Sequence, residues 1–474
     1  MKDIQNFIIN NEGKKVIVIQ GLGFVGSVMS LICTNPLKND YCVIGVELNN
    51  EKGLKIVKSF NDGIFPINAE DKNIYKLFTA TRNKKNFLAT CSKNAYKFAD
   101  IVIVDINLDV KKYNKYNGEL KSYSVNLSQF KKAISDIGNR CKEEVFILVE
   151  STVPPGTCER IVYPIIGSCF LKRNLKTNKL AIGHSYERVM PGPNYVNSIR
   201  NFHRVYSGVN KYSENITKLF LESIIYTDKY PLTKLNNTNS SELAKVLENS
   251  YRALNIAFMV EWSRFAEKSS VNLYEVVNAI RKRPTHRNLM YPGVGVGGYC
   301  LTKDALLAEW AKLNNFNSSD GLSISINAIN TNDQMPYYAF LFIKQKIKSL
   351  KNLRIGLMGI SYRSDIGDTR YTPAFNLVKY LSKSKAKIHL NDPFVSDWKQ
   401  KKLKIEVNVD TFLKRKYDIL IIATNHTLYK NKLLIDKIFK KQKLKIFDLV
   451  GVYNKSTVNK FNKKHVVYTL GCGK

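Results

Sequence analysis

The apolar run K-V-I-V-I-Q at 15–20 ends directly on G-L-G-F-V-G at 21–26. The run shows no polar alternation, which is the pattern of a strand buried on both faces of a parallel sheet. An apolar stretch, S-V-M-S-L-I-C, follows as a helix, and V-I-G-V-E-L at 43–48 reads as a second strand. A strand, a G-x-G-x-x-G turn and a helix form the start of a dinucleotide-binding βαβ unit. Gly21 makes the tight turn, Gly23 lets backbone approach a pyrophosphate, and Gly26 lets the helix pack on the strand. Phe24 and Val25 lie within the same turn. Glu47 comes 21 residues after Gly26, at the end of the second strand. A carboxylate there binds ribose hydroxyls and repels a 2′-phosphate, so NAD is expected over NADP.

The α/β rhythm continues through I-V-I-V-D-I at 101–106, V-F-I-L-V at 145–149 and residues 180–182. It then breaks. Residues 240–268 contain no glycine or proline, and Leu243, Leu247, Leu254, Phe258, Trp262 and Phe265 recur at helical spacing. One long helix with an apolar side is expected there, followed by helices over 271–280 and 302–313. The rhythm restarts with strand-like runs at 353–360, 386–392, 417–424 and 444–449. The expected fold is α/β: two doubly wound Rossmann-like domains joined by a central all-helical domain with one long helix. The expected boundaries are 1–210 for the NAD-binding domain, 211–340 for the helical domain and 341–474 for the second Rossmann-like domain. The turn opening the last domain lacks the full glycine fingerprint, so a different nucleotide is expected there.

Lysine and arginine exceed aspartate and glutamate by 74 to 39, a net charge of +35. The basic residues are spread along the chain, at Lys84–Lys85, Lys111–Lys112, Lys131–Lys132, Lys401–Lys402 and Lys440–Lys441. Without a dense stripe and interleaved aromatics, no nucleic-acid partner is expected. The eight cysteines form no CxxC pair and the six histidines no metal-ligand spacing, so no metal is expected. The opening residues are too polar for a signal peptide, and no apolar run approaches the roughly 18 residues of a membrane span. A cytoplasmic protein without a membrane partner is expected.

The strongest chemical signal is V-G-V-G-G-Y-C-L-T-K-D at 294–304. A cysteine at the mouth of a helix gains from the positive end of the dipole, which favours the nucleophilic thiolate. A buried structural cysteine is the alternative. The surrounding glycines argue against it, because close-approach backbone is wasted in a core. Asp304 lies one turn after Cys300, placed to orient a water or to favour the helix start. Thr152 in E-S-T-V-P-P-G-T and Glu187–Arg188 in S-Y-E-R-V-M-P-G follow strands, where α/β sheets bind ligands. Lys245 and Asn249 are four apart, on one helix face, and together suit a developing oxyanion. Each of these three has a plain alternative: a turn, a surface ion pair and a solvated polar face.

As an ordered set, the strings at 21–26, 151–156, 187–192, 245–255, 297–304 and 359–370 resemble the UDP-glucose/GDP-mannose dehydrogenase family across nearly the whole chain. The resemblance implies oxidation of the C6 alcohol of a nucleotide sugar to a carboxylate, with two NAD reduced per turnover; a UDP-hexose is favoured, with UDP-glucose, a UDP-N-acetylhexosamine and GDP-mannose all open. It implies that Cys300 carries a thiohemiacetal and then a thioester. It assigns Lys245 and Asn249 to the oxyanion, and Thr152, Glu187 and Asp304 to the water and proton network. It places Glu187, Arg188, Lys245, Asn249, Tyr291, Gly295, Gly297, Arg363 and Arg370 around the substrate. The chain departs from the family pattern at D-I-N-L-D (105–109), Tyr186, Pro191 and Arg363. A homodimer or higher homo-oligomer is expected from the apolar long helix. A two-electron hydroxyacid-type dehydrogenase, or a catalytically silent nucleotide-binding scaffold, are the competing readings.

Overall fold

The structure, a computed structural model, describes residues 2–67, 71–188, 192–398 and 403–473. Pro191 and Lys401–Lys402, singled out above, lie outside the described residues. Contacts divide the chain into two compact units. One comprises residues 1–110, 125–247 and 307–321, the other 111–124, 248–306 and 322–474.

In the first unit the strands are β1 (Lys15–Gln20), β2 (Tyr41–Val46), β3 (Phe87–Thr90), β4 (Ile101–Val104), β7 (Phe146–Val149), β8 (Ala181–His184), β9 (Val205–Gly208) and β10 (Thr233–Lys234). A hairpin, β5 (Val110–Asn114) and β6 (Leu120–Val125), interrupts them in sequence. The sheet order is β10-β9-β8-β7-β4-β1-β2-β3. Pairing is parallel except between β8 and β9. Alternate residues of each strand enter separate cores: Val16, Val18, Ile147 and Val149 one, Ile17, Ile19, Phe146 and Leu148 the other. Both faces are therefore covered, which explains the unbroken apolar runs. Each such side chain contributes about 1.5–3 kcal/mol through burial. Because β1 lies between β2 and β4, the chain leaves it in opposite directions, and the turn at 21–26 sits at this switch point.

The second unit repeats the plan with β11 (Arg354–Met358), β12 (Lys387–Asn391), β13 (Asp397–Trp398), β14 (Leu403–Glu406), β15 (Ile419–Ile422), β16 (Lys445–Asp448) and β17 (Val466–Thr469). Their order is β13-β14-β12-β11-β15-β16-β17, with only the β13–β14 pair antiparallel. Its switch point lies between β11 and β15, so residues 359–372 and 423–431 emerge there. The two Rossmann-like sheets and the helices between them agree with the expected fold class. The strands β3, β9, β10 and β17 are additions to those expected from the sequence.

The long helix spans Thr238–Lys268. Its residues through Leu247 belong to the first unit, and those from Glu248 to the second. Val246, Ala253, Ala257, Met259, Val260 and Ala266 are its buried apolar side chains, whereas Leu243, Leu247, Phe258, Trp262 and Phe265 are exposed. The apolar stripe read from the sequence therefore faces away from the core of this chain.

Within the first unit, one buried carboxylate ties this helix to the loop after β7. Glu242 Oε2 accepts the Gly156 amide at 2.6 Å and Oε1 the Cys158 amide at 2.8 Å. Glu159 answers by accepting from Asn239 at 2.9 Å. The loop carrying Thr152 is thus fastened one turn ahead of Lys245. Burial pushes the Glu242 pKa up to about 7, although the Cys158 thiol and the two amides pull it down.

The hairpin packs in the second unit. Lys112 pairs with Asp333 at 2.6 Å and Tyr380 donates to the Tyr116 carbonyl at 2.6 Å. At its tip Gly118 has φ +89°, and a Cβ there would lie 2.2 Å from the Asp333 carbonyl oxygen. Two predictions follow from these contacts. Gly118→Ala is expected to loosen the hairpin and speed proteolysis between residues 111 and 124, read by timed digestion and mass spectrometry. For Glu242, the folded chain holds a proton between pH 4.5 and about 7 that the unfolded chain has released. Stability from this group therefore falls as pH rises through that window and is flat above it. Compared with Glu242→Gln, the wild type is expected to lose up to about 3 kcal/mol across it, measured by denaturant unfolding at both ends.

Candidate active site

The glycines of the first turn have separate reasons. Gly21 has φ +97°, and a Cβ there would lie 2.4 Å from the Asp105 carbonyl oxygen. A Cβ on Gly26 would lie 2.0 Å from the Gly21 carbonyl oxygen. Gly23 differs: nothing lies within 4 Å of its would-be Cβ. It caps the helix Phe24–Thr34, whose first turn has no side-chain cap and no acidic residue. Open space before an uncapped helix N-terminus suits a pyrophosphate. Phe24 is exposed and Val25 half-buried at that opening. Glu47 Oε1 accepts the Leu22 amide at 2.6 Å, which fixes the carboxylate beside the turn. These residues fit a dinucleotide.

Further along the same sheet, Thr152 is half-buried beyond β7, and Glu187 and Arg188 follow β8. Lys245 Nζ donates to the Glu187 carbonyl at 2.7 Å and lies 5.2 Å from the centre of the Tyr186 ring. Arg188 lies 5.4 Å from the same ring and donates to the Tyr186 hydroxyl at 3.2 Å. Tyr186, a departure from the family pattern, is thus a buried platform for two cations. The structure brings Lys245, Glu187 and Arg188 together around it. Beneath them Arg204 pairs with Glu150 and donates to the Ser185 carbonyl at 2.9 Å. Burial, then the charges of Glu150 and Glu187, push the Asp105 carboxyl well above its ordinary range. Burial likewise holds His184 down at about 3, so its ring is neutral.

The cysteine lies in the second unit. Gly295 and Gly298 take φ +122° and +82°. A Cβ on Gly297 would lie 2.3 Å from Tyr362 Cβ, and one on Gly298 2.8 Å from the Tyr362 ring. The Gly298 amide donates to the Arg370 carbonyl at 2.9 Å. The glycines therefore permit close packing against the segment after β11. Cys33, Cys42, Cys141, Cys158 and Cys169 are buried, whereas Cys91, Cys300 and Cys472 are half-buried. The Cys300 carbonyl accepts the Lys303 and Asp304 amides at 3.1 and 3.0 Å, forming the turn that leads into the helix Asp304–Asn314. The helix thus starts two residues later than expected.

Asp304 is fully buried. Its Oδ2 accepts from Asn249 at 2.7 Å and its Oδ1 from Lys303 at 3.0 Å. Asn249 and Asp304, read separately from the sequence, form one hydrogen-bonded pair. Arg370 chelates Asp368, with Nη2–Oδ2 at 2.6 Å. Burial opposes the Arg370 charge, but the Asp368 bonds and charge, with Tyr362 and Cys300 adding, hold its pKa above the ordinary arginine value. The field of this cation reaches Cys300. Arg363 is exposed on the same segment. Tyr291 is exposed, stacks on Tyr274 at 5.8 Å and donates to Asn278 at 2.5 Å.

Several positioning residues escaped the sequence reading. Asp392 Oδ2 accepts the Ile360 amide at 2.7 Å, the Ser361 amide at 2.8 Å and His426 Nε2 at 3.2 Å. His426 Nδ1 in turn accepts the Asp365 amide at 2.9 Å, so its proton is on Nε2. Burial raises the Asp392 pKa, and the His426 and amide bonds reverse this, holding it below the usual range. Glu242, Asp105 and the Glu150–Arg204 pair act likewise. Glu242 lies three residues before Lys245 on the helix, but its partners are distant in sequence.

The family model for the UDP-glucose/GDP-mannose dehydrogenase NAD binding domain matches residues 14–225, its central domain 239–333 and its UDP binding domain 356–455. The chain is 29% identical to a UDP-N-acetyl-D-mannosamine dehydrogenase of Methanocaldococcus jannaschii over 472 residues, covering 98% of each chain. It is 29% identical to one of Methanococcus aeolicus over 418 residues, covering 88% of this chain and 85% of that one. Its fold matches the solved UDP-D-ManNAc dehydrogenase of Pyrococcus horikoshii with a TM-score of 0.79 at 24% identity, over 97% of this chain and 99% of the other. The chain belongs to the UDP-glucose/GDP-mannose dehydrogenase family, with NAD as its cofactor and a nucleotide sugar as the molecule it oxidises.

Proposed function

We propose that the chain oxidises the C6 alcohol of UDP-N-acetyl-D-mannosamine to the uronic acid, a four-electron reaction through a sulfur adduct. The relatives similar over most of their length carry that activity in their names, which favours this sugar over UDP-glucose. The observation that carries the four-electron reading is Cys300, half-buried on glycine-permitted backbone, in one unit with the Asn249–Asp304 pair and Arg370.

When bound, NAD supplies the acceptor for each of the two hydrides. Lys245, Glu187 and Thr152 manage the alcohol proton in the first oxidation. The Cys300 thiolate then adds to the aldehyde carbon, forming a C–S bond, and the new oxyanion takes a proton to give a thiohemiacetal. Lys245 and Asn249 stabilise that oxygen. Loss of a second hydride from carbon and of the hydroxyl proton leaves a thioester. Water, oriented by Asp304, cleaves the C–S bond, releasing the acid and the thiol. Gly21, Gly23, Phe24, Val25, Gly26, Glu47 and Thr152 hold the cofactor. Glu187, Arg188, Gly295, Gly297, Arg363, Arg370 and Tyr291 serve the nucleotide sugar. The segments at 359–372 and 423–431, at the second switch point, suit the uridine diphosphate.

The exposed stripe of Leu243, Leu247, Phe258, Trp262 and Phe265 supports a homo-oligomer. The free cysteines accord with a reducing cytoplasm.

A panel of UDP- and GDP-sugars, followed by NADH absorbance and product mass, tests the reading. Two NADH per UDP-N-acetylmannosamine are expected. One NADH per sugar would mark a two-electron dehydrogenase, and no turnover on any sugar a silent scaffold. Cys300→Ser is expected to cut acid formation by at least 1,000-fold on the order of a lost covalent step, while aldehyde-level oxidation persists weakly. Acid yield equal to wild type from that variant would remove the thiol from the mechanism.

A further inference from the structure

The net charge of +35 is not evenly shared. Residues 341–474 hold 30 basic and 9 acidic residues, a surplus of 21, whereas residues 211–340 hold 14 and 12, a surplus of only 2. A lysine-rich composition alone would spread the excess more uniformly. The second Rossmann-like sheet gathers it further. The register pairs Ile355 with Ile419, Ile419 with Lys445, and Lys445 with Val466. Lys385, Lys416, Lys443, Lys463 and Lys464 therefore all fall within three residues before the start of their parallel strands, along the amino edge. All five are exposed.

Helix dipoles account for only part of this edge. Lys441 Nζ donates to the Arg415 carbonyl at 3.0 Å and Lys464 Nζ to the Lys440 carbonyl at 3.3 Å, as helix-end cations do. Among the described residues, Lys385, Lys416, Lys443 and Lys463 form no ion pair. Asp418, the acidic residue in this row, is committed to Arg354 at 2.8 Å. Nor does the edge serve the nucleotide, because the segments after β11 and β15 emerge at the opposite, carboxyl ends of the strands.

We propose that this edge docks electrostatically on an anionic phospholipid surface. Five neighbouring strands, β12, β11, β15, β16 and β17, make it roughly 20 Å wide. That breadth presents several point charges to a plane at once. Lysines within a Debye length of anionic headgroups add their attractions, and several together suffice for reversible binding. No large hydrophobic side chain is exposed between residues 440 and 466 or 410 and 420, so the contact needs no insertion. A nucleic acid is the less suited polyanion, because the edge lacks exposed rings for base stacking.

The test uses the full chain and vesicles of phosphatidylcholine with or without 30% phosphatidylglycerol on the order of a typical anionic surface. Co-flotation is expected only with the anionic vesicles. It should fall at least tenfold when salt rises from about 0.05 to 0.3 M. The variant Lys385→Gln, Lys416→Gln, Lys443→Gln, Lys463→Gln should lose binding by roughly 30-fold or more, while keeping its melting temperature and its activity in solution. Its control removes the same charge from exposed lysines of the first unit: Lys72→Gln, Lys76→Gln, Lys131→Gln, Lys172→Gln. That control should bind like wild type. Equal loss in both variants, or no flotation of wild type, overturns the proposal. If the edge variant loses duplex DNA or RNA binding while vesicle binding stays, the edge belongs to nucleic acid and the lipid proposal fails.

Discussion

Parallel sheets covered on both faces leave a protein one kind of place to do chemistry. Helices bury the flat surfaces of both sheets, so the loops beyond the strand ends are the places each sheet leaves open to a ligand. The first sheet contributes the glycine turn, Thr152 and Glu187 in this way, and the second contributes residues 359–372. Crowding these loops beside a buried sheet forces ionisable groups out of water. Each is stable only because designed partners replace the lost solvent. Asp304 has Asn249 and Lys303, Asp392 has two amides and His426, and Glu150 has Arg204.

The proposed chemistry draws its order from this arrangement. Lys245 is held by the Glu187 carbonyl and the Tyr186 ring before any substrate arrives. Asn249 is likewise oriented by Asp304. In the proposed reaction, side chains locked in this way need little reorganisation when charge develops on a substrate oxygen. The glycines at 295–298 act by a different route. They bring backbone against the Tyr362 side chain at distances that any Cβ would prevent.

How much of this was legible follows from the range of each interaction. Gly26 and Glu47 could be read because their partners, Gly21 and Leu22, lie within one βαβ unit, and Gly21 because it opens the same fingerprint. Cys300 stood out because glycines crowd around it. Glu242 did not, since its partners are 84 and 86 residues away and nothing local marks a glutamate as buried. Arg204, Asp105 and Asp392 were hidden for the same reason. The apolar residues of the long helix were visible as a stripe, but pattern alone does not tell a face toward the core from a face toward a partner. The hairpin at 110–125 was missed because its strands are largely exposed and polar.

The interleaving of the two units in sequence has a consequence for synthesis on the ribosome. The first unit takes its last segment from residues 307–321, where Trp310 packs on its core and Asn315 donates to the Pro155 carbonyl at 2.7 Å. That core stays incomplete until about two thirds of the polypeptide has emerged. Residues 111–124 wait longer still, because the strands and helices of their own unit are translated last. A nascent segment held open for so long must resist self-association, and the lysine-rich, weakly apolar hairpin is suited to that delay.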